Sequence, residues 1–448
     1  MPNSRFSNSI ETLKQMTQDI LDQATKAGAT ACEAEVSEGF GQSVGVRKGE
    51  VETIEYNRDK GLEVTVYFGK QRGNASTSDF TPLAIRDTVQ AAVTIAKYTA
   101  SDEFAGLADV ALLAKEVPDL DLYFPWDQSV EQAIELAQAC EAAALQVDPR
   151  ITNSEGGNVN TQESRFVYGN SLGFIGSYPS SRHGVSCAVI AESSAGMQRD
   201  YWYSTARDAR DLESAASVGK LAGERTVRRL DARKLDTMQV PVIFEASIAS
   251  GLLGHFVSAV SGGSLYRKSS FLLDSLGSQV FAPWIQIREL PHVKKGLASS
   301  PFDSEGVATH AREVVKDGVL QGYFLSTYSA RKLGMTSTGN AGGNHNLILE
   351  SSGQDFAALL KMMDKGLLVT ELLGHGINPV TGDYSRGAAG FWVEHGEIQY
   401  AVEEITVAGN LKEMFKQIIA VGNDALVRGS KQCGSILIER MTVAGAGE

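Results

Sequence analysis

The sequence predicts an α+β protein in which N-terminal α/β-layer units with antiparallel sheets precede a largely β, barrel-like C-terminal domain. Three observations carry this. Segments that alternate apolar and polar side chains recur between Gly- and Asp-containing turns, as half-buried antiparallel strands require. Stretches with apolar residues every three or four positions flank those segments, as helices covering a sheet do. Beyond Val240 the helical spacing gives way to strands and loops. The chain of 448 residues is long for one core and divides into expected units at 1–115, 116–235 and 236–448.

Taken in order, Ile10, Leu13, Met16, Ile20 and Leu21 give an amphipathic helix ending near Ala27 and Gly28. ACEAEVSE (31–38), QSVGVRKG (42–49), EVETIEYN (50–57) and GLEVTVYFG (61–69) then read as four strands of an antiparallel meander. Residues 81–98 resume helical spacing, with Pro82 in the first turn. A loop with Pro118, Pro125 and Trp126 leads to a helix over 130–145, opened by Ser129 and Gln132 at capping-box spacing. Sheet-forming segments follow from 150 to 192, and a helix over 212–230 closes the second unit. In the C-terminal part, Lys316-Asp317-Gly318 and Glu394-His395-Gly396 predict hairpin turns. No internal repeat is evident.

A net charge of -13 and a pI near 5.2 argue against a nucleic-acid surface, which needs clustered Lys and Arg. Arg228, Arg229, Arg233 and Lys234 form the densest basic patch, and their place at a helix end reads as a complement to its dipole. Cys32, Cys140, Cys187 and Cys433 are scattered without C-x-x-C spacing, so reduced thiols are expected. The start lacks the apolar core of a signal peptide, and no apolar run reaches membrane-spanning length. A cytoplasmic protein without membrane contact is the expectation.

The most informative segment is 248–263, IASGLLGHFVSAVSGG. Ile248, Leu252, Phe256 and Val260 recur every four residues, with Leu253 and Val257 beside them, and glycines and serines fill the other face. That is the pattern of a buried packing helix. No charged residue lies between Ala246 and Tyr266, so both faces are expected to meet protein.

With PVIFEA (241–246) before it and LYRKSSFLLDSLG (265–277) after it, this segment resembles the core of the TldD/PmbA family. The family comprises peptidases also called modulators of DNA gyrase. The likeness is to its PmbA (TldE) branch, and GLEVTVYFGKQRGNASTSD (61–79), VPDLDLYFP (117–125), RITNSEGG (150–157), KGLASSPFDSEGV (295–307), TSTGNAGG (336–343) and TGDYSRGAAGFWVE (381–394) extend it over nearly the whole chain. In the TldD branch the helix carries H-E-x-x-x-H, two zinc-binding histidines and a glutamate that activates water. Here those positions read Gly254, His255 and Ala259. The resemblance therefore implies no metal and no catalytic residue in this chain, with zinc held by a TldD-like metalloprotease partner. It also implies a heterodimer acting on extended or unfolded peptides, peptide precursors included, and a homodimer is open to the chain when the partner is absent. Two other readings stand beside it: a non-proteolytic adaptor of the gyrase-modulator type, and a stand-alone protease with an unrecognised site.

Five residues are candidates for substrate or partner contact. His255 is expected to be a hydrogen-bonded structural or interface histidine. His345 in GGNHN and His375 in LLGHGIN lie in glycine-rich loops, as turn residues or as substrate-contacting ones. Asp383 and Arg386 in GDYSRG contact a peptide or partner, or form a structural ion pair; Ser385 lacks the G-x-S-x-G elbow of a nucleophile. His345, His375 and Cys433 are the set from which a scattered zinc site would be built.

Overall fold

Between residues 31 and 68 only Lys48 (φ 53°) and Gly49 (φ 79°) take up positive φ, so the chain can reverse only there. The structure, a computed structural model, describes residues 5–445. Residues 1–4 and 446–448, the ends of the expected N- and C-terminal units, lie outside the described residues. The four short strands expected over 31–69 are two long ones, β1 (Ala31–Arg47) and β2 (Glu50–Phe68). Gly39 and Gly41 stay extended opposite Asp59 and Asn57, so these glycines and the Asp59-Lys60-Gly61 run are strand interior and not turns.

The N-terminal half is built twice from one plan. Helix α1 (Ile10–Lys26) begins where Thr12 N–H donates to Ser9 Oγ, 3.0 Å, and is followed by β1, β2, β3 (Gln71–Thr77) and α2 (Pro82–Tyr98). Helix α3 (Val130–Leu145) has the expected Ser129/Gln132 capping box and is followed by β4 (Ile151–Asn170), β5 (Ile175–Ser193), β6 (Gly196–Ala206) and α4 (Ala215–Arg228). The six strands form one antiparallel sheet in the order β3-β2-β1-β4-β5-β6, so the two halves meet at the β1–β4 pair. The expected boundary at 115/116 falls in the connection between these halves. All four helices cover one face. Even-numbered β1 residues from Cys32 to Val46 point into that helical core, whereas Glu33, Glu35 and Ser37 point the other way. Between α3 and α4 the approach is close enough that a Cβ on Gly219 would stand 1.8 Å from the Cys140 carbonyl oxygen.

The C-terminal half opens with β7 (Met238–Phe244) and α5 (Ala246–Ala259). Strands β8 (Ile287–Leu290), β9 (Arg312–Lys316), β10 (Val319–Leu320) and β11 (Asn346–Leu349) follow, then β12 (Gly366–Leu373), β13 (Asp383–Glu394) and β14 (Glu397–Asn410). The last are β15 (Ile418–Val421), β16 (Lys431–Gln432) and β17 (Ile436–Gly445). β14-β13-β12-β7-β17 are paired in order, and a further β14–β17 pairing closes them into a five-stranded barrel, as the sequence pattern anticipated. Five strands, β10-β9-β8-β11-β16, make a second sheet. Both expected hairpins form, with Asp317-Gly318 and His395-Gly396 at positive φ. Phe256 of α5 is fully buried edge-on to Phe281 and Phe415, with centroids 5.0 and 6.3 Å away. Burial of such a side chain contributes about 1.5–3 kcal/mol.

The expected helix over 212–230 is trimmed to α4, and its basic patch does more than complement a dipole. Arg229 pairs with Glu371 of β12, Arg228 lies over the Phe391 ring of β13, and Arg233 and Lys234 reach Tyr400 and Glu404 of β14. These contacts fasten the N-terminal half to the barrel. All four cysteines are buried and free. No helix among the described residues is long and apolar enough to cross a membrane.

Candidate functional site

Helix α5 follows directly from β7, and the structure divides its surface in two. Leu252, Leu253, Phe256 and Val257 enter the core, whereas Gly251 and Ser258 are exposed and Ser247, Ser250 and Gly254 are half-buried. The charge-free run thus meets packed protein on one face only. The other face floors a groove made of two adjoining cavities, of 390 and 340 Å³, which share Ser247, Ser250, Gly251 and Arg428. The small-residue floor leaves the groove open, since a Cβ on Gly251 would meet nothing within 4 Å. Those walls are β6, the end of α4, β12, β13 and the loop 426–431.

At the three positions where the TldD branch holds its ligands, a Cβ on Gly254 would meet only Lys431 Cε, at 3.9 Å. Ala259 is buried, 4% exposed. The His255 ring lies edge-on to the Tyr384 ring, with centroids 6.0 Å apart, and makes no hydrogen bond among the described residues. The expected hydrogen-bonded histidine is thus an aromatic packing partner. Burial, reinforced by the charge of Arg386, holds His255 below the usual imidazole range. These residues do not fit a zinc ion: one imidazole stands where the motif needs two imidazoles and a carboxylate. Nor does a scattered set assemble, since no three His, Cys, Asp or Glu side chains among the described residues converge on a metal position. Cys433 sits in the core, where burial pushes its thiol up to about 12, and His345 is hydrogen-bonded through Nε2 to the Gly339 carbonyl, 2.9 Å.

Of the five candidates, the fold sets His255 within reach of the Arg386 charge, and Arg386 alone of the five lines the groove. His375 is exposed in the loop between β12 and β13, and Asp383 accepts from Thr381 Oγ1 and Asn410 Nδ2, at 2.6 and 3.0 Å, as a turn-stabilising carboxylate. His345 lines a different space, a cavity of 490 Å³ between the helix-free face of the N-terminal sheet and the C-terminal half. Arg225, Arg229, Arg428 and Lys431 line the α5 groove and were not singled out as groove residues from sequence, because they come from separate segments. The nearest signal was the basic run at 228–234.

A larger cavity, 970 Å³, adjoins that of His345 and is walled by Glu33, Glu35 and Glu63 from the sheet and Glu305 from the C-terminal half. Glu33 accepts from the Tyr67 and Tyr168 hydroxyls at 2.9 and 2.7 Å, yet burial outweighs these bonds and raises its pKa. Glu35 stands directly opposite Glu63, and burial followed by that like charge raises it as well. A carboxyl raised in the folded state stabilises the fold while protonated and loses that contribution as pH rises through its folded pKa. Glu35→Gln is therefore expected to raise stability above the ordinary carboxylate range and to be neutral near pH 4. The gain is about 0.2–1 kcal/mol, held to the low end by solvent screening. Urea melts at pH 4 and pH 8 measure it; an equal effect at both pH values would mean that the charge of the carboxylate is not the cause.

Family models for PmbA/TldA metallopeptidase domain 1, the central domain and the C-terminal domain match residues 32–96, 123–230 and 237–445. The chain is 54% identical over 413 residues to Metalloprotease PmbA of Escherichia coli O157:H7, covering 92% of each. It is 50% identical over 436 residues to the Metalloprotease PmbA homolog of Haemophilus influenzae, covering 97% of this chain and 96% of that one. Among solved structures, a candidate modulator of DNA gyrase from Bacteroides thetaiotaomicron superposes with a TM-score of 0.93 at 28% identity, over 98% of this chain and all of that one (100%). TldE from Thermococcus kodakarensis gives 0.81 at 18% identity, over 96% and 100% of the two chains, a likeness of fold alone.

Proposed function

Because the chain belongs to the PmbA/TldA metallopeptidase family, we propose that it is the metal-free subunit of a two-protein zinc metalloprotease that cleaves extended peptides. A TldD-like partner, carrying H-E-x-x-x-H, supplies the zinc that polarises the scissile carbonyl and activates water. The observation that carries this reading is α5 itself. The helix is kept and a groove runs along it, but its ligand positions hold Gly254, a ring-packed His255 and a buried Ala259.

This chain's part is to wall the chamber, hold the peptide extended and exclude folded proteins. Strand β2 offers one means. Its residues 50–60 pair with β1 on one side, while β3 covers only residues 62–68 on the other. An extended peptide can add to such a bare edge through main-chain hydrogen bonds, which tolerate many side chains. The balance of -13 favours a protein partner over nucleic acid, and the proposed site of action is the cytoplasm.

Mixing tests the proposal. An unstructured peptide should be cleaved by this chain together with a TldD-like protein and by neither alone. Chelator-sensitive cleavage by the purified chain would favour a stand-alone protease, and a mixture no more active than the partner would favour a non-proteolytic adaptor. In the active mixture, His255→Gln is expected to leave kcat/KM within tenfold, a change below about 1.4 kcal/mol. A collapse of turnover with folding and pairing intact would make His255 catalytic.

A further inference from the structure

The groove along α5 is basic in an acidic protein. Arg225, Arg229, Arg386, Arg428 and Lys431 line it, against the carboxylates of Asp200 and Glu371. Arg225 is paired with Glu245, just behind the wall, through Nη1 at 2.9 and 3.0 Å, and Arg229 is paired with Glu371. Both also approach Asp200, at 3.5 and 3.8 Å. That leaves Arg386, Arg428 and Lys431 with no carboxylate partner among the described residues. Arg428 is spoken for in part: it lies 4.0 Å over the Trp202 and Tyr203 rings and donates to the Tyr203 carbonyl at 2.6 Å. Arg386 has a buried Nε with no acceptor and only the Tyr384 hydroxyl beside its guanidinium, and Lys431 Nζ reaches only Ser430 Oγ, at 3.4 Å.

A second observation points to a ligand. Thr370 lines the groove, is 7% exposed, and has no partner for its Oγ1. Behind Arg386 the buried Tyr384 hydroxyl has only that guanidinium beside it. Burying a polar group without a partner is costly, and here such groups gather where cations lack counter-ions. An acceptor-only anion is the chemical class that satisfies both needs. Two features select a carboxylate over a polyanion: a guanidinium fork matches its two oxygens, and a chain at -13 repels an extended run of phosphates.

We infer that the α5 groove is a carboxylate-binding site that takes the C-terminal or side-chain carboxylate of a peptide, with Arg386 as its main contact, Lys431 as the second cation and Thr370 as a hydroxyl donor. Binding there anchors the peptide on this chain by its charge while the rest of it runs on along the chamber. The ligand's being a peptide rests on the function proposed above; the site's preference for a carboxylate does not, and binding to this chain alone reads it independently of any cleavage by a pair.

Three fluorescent decapeptides decide it by anisotropy with the full chain: one with a free C-terminus and no acidic side chain, one amidated with a single Glu, and one amidated with none. At least one carboxylate-bearing peptide should bind tenfold or more tightly than the uncharged control, and the stronger of the two identifies the source of the carboxylate. Arg386→Gln and Lys431→Gln should each weaken that binding, Arg386→Gln by tenfold or more. The two variants are used together so that a fold defect in one, seen in its melting curve, leaves the other as the test. Equal binding of all three peptides, no binding of any, or wild-type affinity in folded variants would overturn the assignment. Cleavage that fails in a mixture while this preference holds would sink the proposed function and leave the site standing.

Discussion

Replacing Ala259 with Glu is expected to cost the fold about 3–5 kcal/mol, the range for a charge left unpaired in a protein interior. The Ala259 methyl is 4% exposed among Leu252, Phe256 and Val260, and its carbonyl is pinned by Ser270 Oγ–H at 2.6 Å, so the helix end cannot turn the new side chain outward cheaply. Part of the penalty is avoidable by holding the carboxyl protonated. Its folded pKa would then exceed the unfolded one, and the destabilisation should deepen from pH 5 to pH 8. Thermal and urea melts at both pH values measure it, with Ala259→Gly, expected to lose about 1 kcal/mol, as the size control. A melting temperature unchanged by the Glu substitution would show this face open to water. The same geometry bears on any attempt to restore the metal motif: a histidine at 259 would sit in packed core, so changing three side chains cannot recreate the site.

Gly219→Leu should be at least as damaging. Even a lone Cβ there would lie 1.8 Å from the Cys140 carbonyl oxygen and 2.8 Å from its carbon, so α3 and α4 must separate before any side chain fits. Overpacking of an ordinary core costs about 1–3 kcal/mol. Contact with a backbone that cannot swing aside exceeds that, and the gain of roughly 1 kcal/mol from removing a helical glycine does not offset it. Gly251→Ala is the contrast. It too is a mid-helix glycine, but its added Cβ meets nothing within 4 Å, so the variant should gain up to about 1 kcal/mol. Denaturant melts of the two variants should move in opposite directions, and a Gly219→Leu protein as stable as the parent would refute the close approach of α3 and α4.

How far the sequence carried these features depends on whether the governing physics is local. Pro82, and Ser129 with Gln132, mark helix starts because the first turn is satisfied within a few residues. Asp317-Gly318 and His395-Gly396 mark hairpins because positive φ is a property of the turn itself. The merging of four strands into two was hidden, since glycine inside a strand and glycine in a turn look alike until neighbouring strands are in place. So was the duplicated plan, which shows in the pairing of β1 with β4 and in no shared run of residues. The α5 helix was half legible: Leu252, Leu253 and Phe256 gave its core face, but its small-residue face takes its meaning from arginines on α4, β13 and the 426–431 loop. Groups that meet only through tertiary structure leave no spacing to read.

The paired plan of the N-terminal half also sets an order of events. Within each half the hairpins β1–β2 and β4–β5 join neighbouring stretches of chain, whereas every β1–β4 partner lies roughly 110–140 residues away along the sequence. Closing so large a loop spends entropy before any pairing repays it. Each helix-and-hairpin unit is therefore expected to gain structure first, with the seam between them as the slow, late step of refolding, during which the β1 edge stands open to other chains.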